Sequence, residues 1–361
     1  MNRRWILARR PRGAVGPDDF RRDEAAVPEP ADGFLLVRNH FLSIDPTQRG
    51  WMAADTYLPA MKLGEVIRSF AAGVVVGSRD PRFRTGQPVY GLFGWQDYAA
   101  VHPGDPFPVL AVPHGVSLED AMSVLGLTGL TAYFGLLEVG RPQPGETVVV
   151  SAAAGATGSI VGQIARLKGC RAVGIAGGPE KCRYLTEELG FDAAIDYRSE
   201  NVLTRLRETC PKGIDVFFDN VGGKILDAAL AFLARRGRVV ICGAIAGYNE
   251  PAGLPGPRNY LRLLMQRGRM EGFVVSDAFE RAGEAITALS GWLREGRIKN
   301  RVDVIDGFEN APRALARVFT GENRGKQLVR LVGPGLGIGL RRVDDGGSEL
   351  LARSDATQGG S

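Results

Sequence analysis

Apolar and polar residues alternate with three different rhythms along the chain. In the first third, short apolar runs such as "GFLLVRNHFLSI" (33–44), "AAGVVVGS" (71–78) and "QPVYGLFG" (87–94) are set apart by Pro, Gly and Asp. That punctuation predicts short, irregular strands closing into a small barrel or sandwich. From 117 to 140 the apolar positions recur with helical spacing, with Ser117 and Asp120 near the start. From Glu146 onward the pattern alternates. "TVVVSA" (147–152) is a continuous apolar run, as in a strand buried on both faces. Helices are then predicted at 157–169, 179–190, 200–210 and 223–237, and strands at 171–177, 192–197, 214–220 and 238–244. Such alternation predicts βαβ units and a doubly wound parallel sheet. Beyond a Pro/Gly-rich loop (250–257), "NYLRLLMQRG", "RMEGFVVS" and "FERAGEAITALSGWLREG" read as helix, strand and helix. "ENAPRALARVFTG" and "KQLVRLVG" supply a last helix and strand, and the tail 333–361 reads as mostly disordered.

Composition narrows this picture. A chain of 361 residues with 44% hydrophobic and 24% charged residues is globular, not disordered, and its length suggests two domains. The 49 glycines follow no Gly-X-Y period, so they serve turns, close approaches or the tail. The net charge of +5 raises the question of nucleic acid. Only seven of the basic residues are lysines, however, and the arginines of the first 22 residues stand beside Asp18, Asp19, Asp23 and Glu24. A mixed solvated face is the better reading, with no nucleic-acid partner. Early acids and an immediate strand pattern argue against a transit peptide, and no apolar run reaches the length of a membrane helix. Cys170, Cys182, Cys210 and Cys242 are widely spaced and lie far from His40, His102 and His114, which predicts reduced thiols in a cytoplasmic protein and no metal site.

Two segments carry chemistry. In "VVVSAAAGATGSIVGQIA" (148–165) a strand runs into a loop with Gly155 and Gly158 and then a helix with Gly162. Glycines there allow a tight turn and close approach to a pyrophosphate, and the helix start offers unpaired N–H donors. The spacing G-x-x-G-x-x-x-G also fits a plain strand–helix turn; its place at the first βα turn of the alternating segment favours a dinucleotide site. At the end of the next strand, "GIAGGPEKC" (174–182) has no acid for a ribose but has Lys181 opening the following helix. A lysine there suits a 2′-phosphate and so NADPH, the alternative being an ordinary surface lysine.

"YLPAMKLGEV" (57–66), "LFGWQDY" (92–98), "LGLTGLTAYFGLLEVGRPQPGETVVVSAAAGATGS" (125–159), "VGIAGGPEKC" (173–182), "FDNVGG" (218–223), "ICGAIAGYN" (241–249), "PGPRN" (255–259), "EGFVV" (271–275) and "GFENAPRAL" (307–315) follow one another in the chain. Together they closely resemble the zinc-independent medium-chain dehydrogenase/reductases, in the branch of leukotriene 12-hydroxydehydrogenase/prostaglandin reductases, 2-alkenal reductases and curcumin reductases. The resemblance runs from about Arg3 to Val332. It implies an α/β protein with a GroES-like β-rich substrate domain (1–127 and 303–332) and a Rossmann NADPH-binding domain (128–302). It also implies reduction of the C=C bond of α,β-unsaturated ketones and aldehydes, a small-molecule substrate, and a homodimer.

By motif match, Gly155, Ala156, Thr157 and Gly158 correspond to the pyrophosphate loop, and Lys181 and Tyr197 to the 2′-phosphate end. Asn220 lies along the cofactor. Cys242, Gly243, Ala244, Ile245 and Tyr248, with Phe273, Val274, Val275 and Asn323, surround the nicotinamide half. Tyr248 corresponds to the tyrosine that hydrogen-bonds the substrate carbonyl, and Tyr57 is a candidate to line the cleft. Thr47 and Gln48 stand where the family usually has Tyr-Met, "RSFAAG" (68–73) replaces a more glycine-rich stretch, and Gly247 replaces a polar residue. The first two departures fall in the substrate domain. The chemistry implied is hydride addition to the β-carbon while a positioned donor stabilises charge on the carbonyl oxygen; the α-carbon proton comes from water or from Tyr248. A quinone oxidoreductase of the same superfamily is the alternative enzyme, and an NADPH-binding or nucleic-acid-binding protein without turnover is the alternative outside enzymes.

Overall fold

The computed structural model describes residues 1–250 and 252–331; the tail 333–361 lies outside the described residues. Five residues in succession, Thr147–Ser151, are buried and form a strand. This strand stands inside a six-stranded sheet in the order Ala193–Asp196, Arg171–Ala176, Thr147–Ser151, Ile214–Asp219, Leu233–Ile241, Arg269–Gly272, every neighbouring pair being parallel. Successive side chains point to opposite faces. Val148 and Val150 enter one core with the helices Leu127–Phe134, Ala156–Leu167 and Ala282–Arg294, and Val149 enters the other with Leu206, Leu226 and Leu230. A sheet buried on both faces explains the unbroken apolar runs of the sequence. The order turns back at Thr147–Ser151, whose neighbours are the second and fourth strands of the unit, and a crevice opens beyond the strand ends at such a switch point.

The first third builds a mainly antiparallel sheet. Leu35–Ser43 pairs with Phe70–Ser78, Tyr98–Val101 and Lys326–Arg330, and Val302–Asp306 adds to the last of these in parallel. Its core joins Trp51, Phe93 and Leu35 to Leu315 and Leu328, so residues nearly 300 positions apart in sequence share one interior.

Three elements differ from the sequence expectation. The run 117–140 is not one helix. It breaks into Leu118–Met122 and Leu127–Phe134, and the second continues over Gly135–Gly140 in a wider winding. The second piece packs so closely on the turn before it that a Cβ on Gly129 would sit 1.6 Å from the Val124 carbonyl oxygen; glycine permits an approach that helical periodicity does not reveal. The helix expected over 223–237 ends at Ala231, and Leu233–Ile241 is strand. Its irregular start, with Arg236 at φ +63°, carries "ARRG", whose charges mimic a helix end. The strand read from "RMEGFVVS" stops at Gly272, and Phe273 turns inward against Phe218 (ring centroids 6.3 Å apart).

Candidate active site

The crevice is built first from backbone. Past Ser151 the chain takes a left-handed turn at Ala152 (φ +47°), and Gly155 N donates to Ala152 O at 2.9 Å. The helix Ala156–Leu167 then begins with Gly155 as its cap and no side chain bonded to its first N–H groups. A Cβ on Gly158 would lie 2.5 Å from Ala152 O, so only glycine fits. Ala156, Thr157 and Gly158 thus present open donors at the positive end of a twelve-residue helix. Gly162 makes room for the Phe191 ring: a Cβ there would fall 1.9 Å from it.

Asp219 braces the next strand end. It is 1% exposed, and its carboxylate accepts from Ser151 Oγ (2.7 Å), Val221 N (3.0 Å) and Gly222 N (3.1 Å). Burial raises its pKa against these hydrogen bonds. Ser151 Oγ also receives Asn220 N (2.8 Å), and Asn220 Nδ2 donates to Ser151 O (2.7 Å). The two central strands are therefore tied where they open, and Asn220 is placed at the switch point. Cys242 N and Gly243 N donate to Asp219 O (2.9 and 3.1 Å), which fixes the exit of the fifth strand.

That exit carries the tyrosine. Residues Ile245–Gly247 form one tight turn, and Tyr248 Oη folds back to accept from Ala244 N at 3.3 Å. Burial raises its pKa above 10.0, with Cys242 and Tyr57 adding to the effect, so the phenol is a neutral donor at pH 7. Burial pushes the Cys242 thiol up to about 12. Tyr57 comes from the β-rich unit. Its hydroxyl shares a hydrogen bond with Thr47 Oγ1 (3.0 Å), its ring meets Trp51 edge-on, and about half its surface stays exposed (48%). The structure therefore brings Tyr57, Cys242 and Tyr248 into one region. Phe273 is partly buried against the core and Val275 is buried in it, with half-buried Val274 between them.

The second strand ends in a cationic cavity lined by Gly177, Gly178, Lys181, Arg198, Gly321 and Arg324. Lys181 Nζ donates to Gly321 O (2.7 Å), Arg198 Nη2 to Thr320 O (3.2 Å), and Arg324 pairs with Glu180 (2.8 Å). Burial lowers the pKa of Lys181, and Arg198 and Arg324 lower it further. Arg301 and Glu322 line the same cavity, and four cations against Glu180 and Glu322, with Arg324 paired to Glu180 and Arg301 to Glu188, leave a positive surplus that suits a phosphate dianion. Asp196 is spent on the loop itself: burial works to raise its pKa, but Gly178 N (2.7 Å), Ser199 Oγ (2.8 Å) and Arg198 N (3.0 Å) hold it low. Tyr197 stands beside Gly177, its hydroxyl 2.9 Å from where a Cβ would be. Asn323 Nδ2 donates to Gly325 O (2.9 Å), and Gly325 bridges to Gly155, so Asn323 stands beside the Gly155 turn and not with the segment 242–248 with which its motif groups it. Arg198 and Arg324 were missed by sequence reasoning. Arg198 directly follows Tyr197 and could have been noticed; Arg324 comes from a distant segment, and no local signal points to it. Among the described residues no group of three His, Cys, Asp or Glu side chains could hold a metal ion, and no helix is long and apolar enough to cross a membrane.

Residues 3–109 match a family described as the N-terminal domain of oxidoreductase, and residues 156–291 one described as zinc-binding dehydrogenase. The chain is 42% identical over 339 residues to NADPH-dependent curcumin reductase of Escherichia coli, covering 92% of this chain and 97% of that protein. It is 39% identical over 308 residues to 2-alkenal reductase (NADP(+)-dependent) of Nicotiana tabacum, covering 84% and 88%. Among solved structures, CurA from Vibrio vulnificus in complex with NADPH superposes with a TM-score of 0.86 at 39% identity, over 92% of this chain and 100% of that one.

Proposed function

The chain belongs to the zinc-independent medium-chain dehydrogenase/reductases and is an NADPH-dependent oxidoreductase of alkenals and enones, and from that premise we propose that it reduces the C=C bond with Tyr248 as the donor to the carbonyl oxygen. The observation that carries this reading is the half-buried phenol of Tyr248, folded back to Ala244 N on a turn anchored to Asp219 at the switch point, with its pKa raised so that it stays neutral. Bound NADPH supplies a hydride. The open N–H groups of residues 156–158 and the glycines of that loop suit its pyrophosphate, and Lys181, Arg198 and Tyr197 suit its 2′-phosphate. Asn220, Cys242 to Ile245 and Val274 would flank the remainder, with Phe273 and Val275 packed behind them, while Asn323 stands nearer the pyrophosphate. As the β-carbon is reduced, charge grows on the carbonyl oxygen, and a fixed phenol hydrogen bond favours that state over the ground state. Burial of Tyr248 keeps its proton in place for that bond.

Residues 1–127 and 303–332 form the substrate unit in this reading and 128–302 the cofactor unit. The strand Arg269–Gly272, with exposed Met270, is one edge of the sheet, and the preceding helix carries exposed Leu264 and Met265. An open edge with apolar neighbours favours pairing with a second copy, a homodimer. The test is loss of nicotinamide absorbance when NADPH meets an enal, an enone or a quinone, with wild type and Tyr248→Phe. Removing one oxyanion donor lowers kcat by about 100-fold while NADPH affinity holds. Full activity of Tyr248→Phe refutes its role; turnover of quinones alone makes the protein a quinone oxidoreductase.

A further inference from the structure

The cationic cavity at the end of the second parallel strand has walls from both units of the fold. Segment 320–325 joins the helix Ala311–Thr320 to the strand Lys326–Arg330, and both of these pack in the β-rich core. The segment lies along the nucleotide side of the parallel-sheet unit. At one end Gly325 bridges to Gly155. At the other, Lys181 Nζ and Arg198 Nη2 donate to Gly321 O (2.7 Å) and Thr320 O (3.2 Å). The segment is braced from its own side as well. Arg324 N donates to Asp303 Oδ2 (3.0 Å), which also accepts from Arg317 Nη2 (3.3 Å). A Cβ on Gly325 would sit 2.1 Å from Arg301 O, so the chain closes tightly there.

These contacts sort the charges around the cavity. Arg301 pairs with Glu188 (3.0 Å), and its guanidinium carbon stands 3.9 Å from the centroid of the Tyr184 ring. Glu322 accepts from Thr320 Oγ1 (2.8 Å) within its own turn. Arg324 is the cation that segment 320–325 brings to the cavity, and its partner is Glu180 of the parallel-sheet unit (2.8 Å). Both side chains of this pair are more than half exposed, and an exposed ion pair is weak. A phosphate dianion carries more charge and more acceptor oxygens than a carboxylate, and a guanidinium can grip it with two parallel N–H donors. Exchanging Glu180 for a phosphate therefore costs Arg324 little, whereas Lys181 and Arg198 must each release a carbonyl.

We propose that Arg324 is a ligand of the cofactor's 2′-phosphate supplied by the β-rich unit, so that NADPH, and not NADH, ties the two units together. This rests on the reading in which the cavity at Lys181 holds that phosphate. Without the phosphate the units meet here through Lys181, Arg198 and the Arg324–Glu180 pair. With it, Lys181 and Arg198 bind the dianion from one unit and Arg324 from the other. NADH leaves Arg324 on Glu180. The chain thereby selects its cofactor twice, by affinity and by the joining of its units.

The test measures binding and hydrogen exchange on the full chain, in wild type, Arg324→Ala, Arg324→Lys and Lys181→Ala. By calorimetry, Arg324→Ala weakens NADPH and 2′,5′-ADP about tenfold and leaves NADH unchanged, and Arg324→Lys recovers part of the loss. In wild type, saturating NADPH slows amide exchange across 320–325 by about tenfold beyond saturating NADH. In Arg324→Ala the two cofactors protect that segment equally, while 155–158 stays protected as in wild type. The Arg324 side chain is more than half exposed, so its removal leaves the core intact, and unchanged thermal midpoints verify this. Equal protection of 320–325 by NADPH and NADH in wild type overturns the inference. So does an NADPH affinity that Lys181→Ala lowers and Arg324→Ala does not; the phosphate site then stands on one wall alone. If neither substitution changes NADPH affinity, the phosphate reading fails first and this one with it.

Discussion

Replacing Lys181 by alanine is the sharpest test of how the cofactor is selected. The ammonium sits in the cavity with Arg198 and Arg324 and donates to Gly321 O at 2.7 Å. A hydrogen bond to a charged group contributes about 1.5–3 kcal/mol. Lys181 gives up part of this, because a bound phosphate must compete with the Gly321 carbonyl and because the two arginines already crowd it. A net loss of about 2 kcal/mol for NADPH follows, about 30-fold in Kd. NADH has no 2′-phosphate, so its Kd should move less than threefold. Titration calorimetry with NADPH, NADH and 2′,5′-ADP measures all three, and 2′,5′-ADP should weaken in step with NADPH. The sign with pH is also set. Burial and the arginines place the Lys181 pKa below 10.5 in the free protein, so the preference for NADPH is full at neutral pH and fades before pH 10.5. Equal weakening of NADPH and NADH refutes the argument and leaves Lys181 as a tie to the Thr320–Gly321 carbonyls only.

Three further outcomes follow from separate features. Gly162→Ala drives a methyl into the Phe191 ring and should destabilise the protein by about 1–3 kcal/mol in urea unfolding; an unmoved midpoint means the ring yields. Lys326→Met removes the partner of Asp45, which it meets at 2.5 Å with both groups buried, and should lower stability by about 3–5 kcal/mol, with much of that recovered when Asp45→Asn is added. Because burial raises the pKa of Tyr248 above 10.0, the midpoint of the alkaline fall of kcat should lie above pH 10.0, and the fall should vanish in Tyr248→Phe.

Much of the cofactor unit was readable because its physics is local. A strand buried on both faces must be apolar throughout, as 147–151 is, and a helix following Gly155 must begin with open donors. The position of Lys181 at the second strand's end was readable for the same reason, as the first basic residue past that strand. What lay hidden depends on distance. Arg324 reaches the cavity from 143 positions beyond Lys181, and no periodicity reports such a return. The break at 123–126 was invisible because its residues keep helical spacing while glycine lets the backbone fold. The 233–237 stretch misled because a bulged strand start with two arginines has the composition of a frayed helix end. Phe273 looks like a cleft residue in a motif, yet its ring fills space left by Gly135.

The strand Lys326–Arg330 lies between Leu35–Ser43 and Val302–Asp306, so it sits inside a sheet whose other members are mostly made early. During synthesis Leu35–Ser43 must wait, with one flank open, until nearly 290 further residues have been added. The parallel sheet lies between them in the chain and can fold in the meantime from contiguous sequence. Non-local pairing of this kind is slow to form and leaves strand edges exposed until it does. A chain stopped before Lys326 keeps every glycine of the nucleotide loop but lacks Leu328 and Val329 from the β-rich core, which makes the last strand the point at which a nascent chain stops being prey to proteases and aggregation.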